Sequence, residues 1–124
     1  MHRYLIILVF WISGYASAHE FTPTYPKLKQ SYVEGILYTT MSLFNARKDV
    51  KYYEMGVFDK DWNKVPFSVV EPIMFIKHLE RKKIDVYIRE KDKDRALYIC
   101  SKSKLIVVGG SKTSIATRIC SKIK

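Results

Sequence analysis

The sequence predicts an all-β chain folded as an antiparallel β-sandwich or barrel. Three observations carry that expectation: about seven short stretches alternate apolar and polar residues with period two, turn-forming clusters recur about every 8 to 12 residues, and no convincing amphipathic helix interrupts the 124 residues. No internal repeat, linker or low-complexity tract is present.

The elements follow in order. Residues 19–29 contain Pro23 and Pro26 and read as an extended lead-in that ends in a short strand over 28–33. From Gly35 the two-fold pattern is clear, with Leu37, Thr39, Met41 and Leu43 on one face and Tyr38, Thr40, Ser42 and Phe44 on the other; its β-branched and aromatic content favours a strand. The polar stretch 45–49 reads as a turn, and 50–58 alternates again with Tyr53, Met55 and Val57 on one face, so the two strands are expected to form an antiparallel hairpin. Asp59 to Lys64 is a turn cluster. Residues 65–70 are extended, but Pro66 and Pro72 cannot donate to a ladder, which confines the segment to an edge or to a switch between sheets. The stretch 73–79 is ambiguous between strand and one helical turn. A charged turn over 79–83 leads to the alternation of Ile84, Val86 and Ile88 with Asp85, Tyr87 and Arg89. A second charged turn at 90–94 precedes a strand at 97–100, a Gly109-Gly110 turn and a last alternating run through Ile115, Thr117, Ile119, Ser121 and Ile123.

Composition narrows the class. A chain with 48% hydrophobic residues is too apolar for a disordered basic tail, and five Gly with four Pro exclude collagen-like chains. The first eighteen residues stand apart: a cationic start at Arg3, an apolar run from Tyr4 to Ile12, and Ala16-Ser17-Ala18 have the three-part layout of a secretory signal peptide. The run is too short for a membrane anchor, which takes about 20 apolar residues. Cleavage after Ala18 leaves 19–124 as one domain and lowers the formal charge of +10 by one unit. Export also changes what that charge meets, an anionic envelope surface or a secreted partner in place of nucleic acid.

Two cysteines in an oxidising compartment read as one disulfide. With Gly109, Gly110 and Ser111 as the hairpin loop, Cys100 falls directly opposite Cys120. A non-hydrogen-bonded antiparallel pair brings Cα atoms to about 4.5 Å, and closing a loop of this length is worth roughly 3 kcal/mol.

Catalytic chemistry is not encoded in a recognisable pattern. Asp59, Asp61 and Asn63 have calcium-loop spacing, but Lys64 and Val70 occupy the positions that need Gly and Glu. The Gly109-Gly110-Ser111-Lys112-Thr113 stretch lacks the order of a phosphate loop. His78 has no nucleophile at a motif spacing and reads as a partly exposed structural histidine, and Asp92 and Asp94 belong to a lysine-rich turn expected to be exposed. No metal, cofactor or enzymatic activity is expected. Arg81, Lys82, Lys83, Lys102, Lys104 and Lys112 read as surface charge or as a site for an acidic partner. The most informative element is the last strand, expected to offer an open edge of alternating isoleucines. Proteins usually blunt such an edge, and adding a strand to a partner is a recurrent way of using one.

These residues resemble the N-terminal domain of the PapD-like periplasmic chaperones that assemble pili and fimbriae. The resemblance covers roughly 28–124 and rests on four short motifs. They are Val65-Pro66-Phe67-Ser68-Val69 with Pro72 downstream; the strand from Ile84 to Arg89; Asp94-Arg95 ahead of Leu97-Tyr98; and the final strand from Ile115 to Lys124. It implies an immunoglobulin-like β-sandwich of about seven strands whose last strand complements an incomplete pilus subunit. Carried over by position, Ile115, Thr117, Ile119 and Ile123 are the donor residues. Lys124 matches the lysine that grips the subunit's terminal carboxylate, and Lys29 is the cation nearest to its partner. A disulfide joining the strands of Cys100 and Cys120 is similar to that of one subgroup. The implied location is the periplasm and the implied partner a pilin, with an outer-membrane usher as a second. Neither nucleic acid nor stable membrane insertion is expected, and the family's second domain is expected to be absent. The alternative is a small secreted, disulfide-stapled basic β-domain whose lysines bind an acidic protein or envelope surface. The two readings differ at Ile119: an acidic replacement leaves a strand donor folded but unfolds a domain that uses the isoleucine strand as core.

Overall fold

The computed structural model describes residues 19–104 and 116–124. The expected signal peptide (1–18), the turn at 109–111, Lys112 and Ile115 lie outside the described residues. The strands are β1 (Glu20–Thr22), β2 (Lys29–Gln30), β3 (Ile36–Phe44), β4 (Tyr52–Phe58), β5 (Ile73–Phe75), β6 (Arg81–Arg89), β7 (Tyr98–Lys104) and β8 (Arg118–Lys122). They form two antiparallel sheets of an immunoglobulin-like sandwich. In one sheet β3 pairs with β6 along its whole length, while β1 and β2 share its other edge. The other sheet has the order β5-β4-β7-β8.

The two-fold pattern sets the inner faces as expected. Met41 and Leu43 of β3, Tyr53, Met55 and Val57 of β4, and Ile84, Val86 and Ile88 of β6 are all buried in one core with Val65, Met74, Ile76 and Ile99, and Leu37 of β3 is buried as well. Burying each large side chain of this kind contributes about 1.5 to 3 kcal/mol.

The expected hairpin of β3 with β4 does not form, because the two strands belong to different sheets. Between them Asn45 is fully buried and works as a tether. Its amide donates to the carbonyls of Val50 at 2.7 Å and Ile76 at 2.9 Å, and its side-chain oxygen accepts from the Arg47 N–H and the Tyr53 hydroxyl. Its backbone bonds to Glu80 and Leu79. The polar stretch therefore carries the chain across the sandwich, and the apolar faces of β3 and β4 meet through the core.

Residues 64–72 switch sheets as Pro66 and Pro72 predict. Val65 N–H donates to Val57 in one sheet, and Ser68 exchanges two 2.9 Å hydrogen bonds with Tyr87 in the other. The ambiguous stretch 73–79 is strand only over β5, and it ends in a turn where Leu79 takes a φ of 64° and its N–H donates to Asn45. The strand expected over 28–33 shrinks to β2, since the Ser31 hydroxyl donates to the Ile36 carbonyl and accepts from the Val33 N–H, folding a turn that closes at Gly35 with φ +78°.

The edge of β8 is only half open, which corrects the expected free edge. Lys122 N–H donates to the Thr24 carbonyl at 3.0 Å and Lys124 N–H to the Pro26 carbonyl at 2.9 Å. Thr24 and Pro26 lie in the lead-in, so the lead-in runs parallel to the end of β8. A proline cannot donate to a ladder, but its carbonyl accepts.

Candidate functional site

The register of β8 on β7 determines what its outer edge presents. Cys100 faces Cys120 and the two are joined by a disulfide with Cα atoms 4.0 Å apart. That short separation marks a non-hydrogen-bonded pair. The N–H and C=O groups of Thr117, Ile119, Ser121 and Ile123 therefore turn toward β7, as the Ser103-to-Thr117 and Ile123-to-Leu97 bonds show. Those of Arg118, Cys120 and Lys122 turn outward. Lys122 is met by Thr24, whereas the outward groups of Arg118 and Cys120 make no main-chain hydrogen bond to another strand among the described residues, although β1 passes close to β8.

The side chains alternate the other way. Ile119 and Ile123 are half-buried and pack against the core. Thr117 joins a polar cluster: its N–H donates to the Ser103 hydroxyl at 2.8 Å, and its own hydroxyl lies 3.4 Å from His19 Nδ1. His19 is buried, with Nε2 2.8 Å from the Ser101 hydroxyl and its ring 4.8 Å from that of Tyr53. Burial lowers its pKa to about 4, hydrogen bonding to Ser101 opposes the shift, and Arg47 adds to it. Burial also pushes the Tyr53 phenol up to about 12.

On the outer face of the second sheet, Lys102 and Arg118 stand directly opposite each other across β7 and β8, one step from the disulfide. The Arg118 guanidinium lies over the Phe58 ring, 5.3 Å from its centroid. That ring in turn lies over Gly56, where an added Cβ would come within 2.8 Å of it. Gly56 is directly opposite Cys100, so the ring and guanidinium cover the disulfide, and Cys100 is only 2% exposed. Beyond Phe58, the half-exposed Trp62 stacks on Tyr98 at 4.5 Å.

The remaining sequence-predicted groups are placed as follows. Lys29 and Lys124 are both exposed; Lys29 starts β2 three residues after Pro26, whose carbonyl holds Lys124. The basic residues divide between the sheets, Arg81, Lys82 and Lys83 on β6 and Lys102 and Lys104 on β7; Lys82 pairs with Glu71 and Lys104 with Glu54. Asp92 corrects an expectation, being buried instead of exposed, with Arg89 at 2.7 Å and Arg95 at 2.9 Å on its two oxygens. Burial pushes its pKa up, but those two guanidinium contacts outweigh it and hold the carboxyl below its ordinary value. Asp59 accepts the N–H groups of Asp61 and Asn63, an Asx turn, and its pKa is lowered chiefly by the Asn63 N–H. His78 is half-buried, and its Nδ1 meets no partner among the described residues.

Two features escaped the sequence reading. The register that pairs the cysteines also sets Lys102 against Arg118, so that opposition was readable. The burial of His19 was not, because it depends on β7 and β8 arriving beside it.

No family model matches the chain, and no curated protein matches it in sequence. Solved structures match its fold. The E. coli chaperone DraB aligns with TM-score 0.62 at 16% identity, over 86% of this chain and 53% of its own. A chain in the complex of the Salmonella enterica SafA pilin with the SafB chaperone aligns with TM-score 0.65 at 15% identity, over 86% and 52%. The periplasmic chaperone SfaE aligns with TM-score 0.54 at 13% identity, over 86% and 56%. The chain thus spans about half the length of each structure it matches, and the fold implied by the sequence resemblance is the fold these structures share.

Proposed function

We propose that the protein is a PapD-like chaperone domain of pilus assembly that binds a pilus subunit by adding β8 to it. The observation that carries the reading is the half-edge without a bonded neighbour: the outward main-chain groups of Arg118 and Cys120 have no hydrogen-bonded strand partner among the described residues, and the disulfide fixes their direction. The shared fold supports it, as does the pairing of a pilin with a chaperone in one of the similar structures. Ile115, Thr117, Ile119 and Ile123 form the donor row, and Lys124 with Lys29 receives a carboxylate. The reading makes 1–18 a signal peptide, the periplasm the site of action, an outer-membrane usher a further partner, and the protein a non-enzyme. No helix among the described residues is long and apolar enough to cross a membrane.

One observation favours a second reading, a basic β-domain that binds an acidic partner through its surface cations. Ile119 packs against the core, so Ile119→Asp is expected to destabilise the domain under either reading. A backbone change separates them. Because the Arg118 N–H points outward, proline at that position keeps the ladder to β7 and removes only the outer donor. On co-expression with pilus subunits of the same organism, wild type and Arg118→Ala are expected to retain a subunit and Arg118→Pro to lose it, all three remaining folded. A folded Arg118→Pro that retains the subunit as well as Arg118→Ala overturns strand addition.

A further inference from the structure

Like charges placed directly opposite each other on neighbouring strands repel, and Lys102 and Arg118 are so placed, at a non-hydrogen-bonded pair where side chains come closest. Glu54, the carboxylate facing Lys102 across β4, is engaged 2.7 Å from the Lys104 ammonium. Arg118 rests on the Phe58 ring. Beside this pair a groove of about 300 Å³ crosses the outer face of the sheet. Gly56 and Cys100 lie along it, Lys102 and Arg118 line it at β7 and β8, Lys64 lines it near Phe58, and Glu54, already paired with Lys104, lines it at β4, so the cations outnumber the carboxylate three to one. Its far end reaches Phe67 and Pro72.

We propose that this groove receives a carboxylate side chain, Asp or Glu, carried by the strand that joins β8, with Arg118 and Lys102 holding it and Lys64 adding to the field. The inference rests on β8 being the edge that a partner strand joins. Position favours a peptide over other anions. The cationic pair flanks the half of β8 whose main-chain groups are open, so one extended segment can bond to the Arg118 and Cys120 edge while its side chain turns toward Arg118. A guanidinium suits a carboxylate in this role because its fork donates two parallel hydrogen bonds. The side chain in the groove also relieves the Lys102–Arg118 repulsion, so binding gains from a conflict present in the free protein.

The test uses two blocked synthetic nonapeptides of alternating Val and Thr that differ only in a central Glu or Gln. Binding is followed by Trp62 fluorescence at low and high salt, and strand addition by amide exchange at Arg118 and Cys120. Both peptides are expected to slow those two amides. The Glu peptide is expected to bind about three- to fivefold more tightly at low salt. That preference is expected to shrink at high salt and to vanish in the double variant Lys102→Gln/Arg118→Gln, while Lys82→Gln retains it. Equal affinity for the two peptides, with both amides protected, overturns the carboxylate site and leaves strand addition standing. Failure of either peptide to protect the amides overturns strand addition and the inference with it. Binding of the protein to phosphatidylglycerol vesicles that is lost in the same double variant, without a Glu preference, assigns the cations to a lipid surface and likewise overturns the proposal.

Discussion

Asn45 is completely buried, and its side chain holds together three segments that approach from different parts of the chain: the loop between β3 and β4 at Arg47 and Val50, β4 itself at Tyr53, and the residue after β5. Truncation to alanine removes the donors to the Val50 and Ile76 carbonyls deep in the molecule, and the penalty for buried groups left without a partner exceeds the net worth of the bonds themselves. Asn45→Ala is expected to lower stability by about 2 to 4 kcal/mol, read as a shift of the urea midpoint. Tyr53→Phe deletes only one bond to the same oxygen and is expected to cost about 1 kcal/mol. His19 gives a pH signature. Its pKa is depressed in the fold to about 4 from an ordinary 6.5, so the unfolded chain binds the extra proton first. The stabilisation is complete above pH 6.5 and is lost as pH falls toward 4. Urea midpoints of the wild type are therefore expected to fall between pH 7 and pH 4.5, and His19→Gln is expected to flatten that slope; an unchanged slope would remove His19 as its source.

At the scale of the element, the disulfide and the register of β7 with β8 are one fact. Cys100 and Cys120 enclose a separation of 20 residues, and opening a loop of that size is expected to cost about 3 kcal/mol. Cys100→Ala with Cys120→Ala should show that loss in urea, and a loss confined to a few tenths would mean that the hairpin keeps its register without the bridge. This pairing was legible because two-fold alternation and a short loop leave few registers to choose from. The inner faces of β3, β4 and β6 were legible for the same reason. Partner choice was not: alternation says which face of a strand is buried and nothing about its neighbour, so a polar stretch at Asn45 looked like a hairpin turn when it is a crossing between sheets. Asp92 was misjudged by composition. The lysines around it suggested solvent, whereas Arg89 and Arg95, three residues to either side, close over its carboxylate.

The whole molecule has several strand edges, and they are not equivalent. β1 and β5 are only three residues long and β2 only two. The outer edge of β6 meets Ser68 at Tyr87, and the exposed residues along the rest of it include Lys83 and Asp85, charges of the kind that discourage pairing. The lead-in occupies the end of β8 through Thr24 and Pro26. What remains is the half-edge at Arg118 and Cys120, clamped in direction by the disulfide and flanked by Lys102 and Arg118, while Glu54, the carboxylate opposite Lys102, is paired with Lys104. Amide exchange distinguishes these edges in one measurement. In the free protein the amides of Lys83, Asp85, Arg118 and Cys120 are expected to exchange quickly, and those of Lys122 and Lys124 slowly because Thr24 and Pro26 accept them. With a pilus subunit bound, Arg118 and Cys120 are expected to slow markedly while Lys83 and Asp85 stay fast. Protection at Lys83 and Asp85 instead would move the docking edge to β6, and the disulfide would then serve the stability of the second sheet alone.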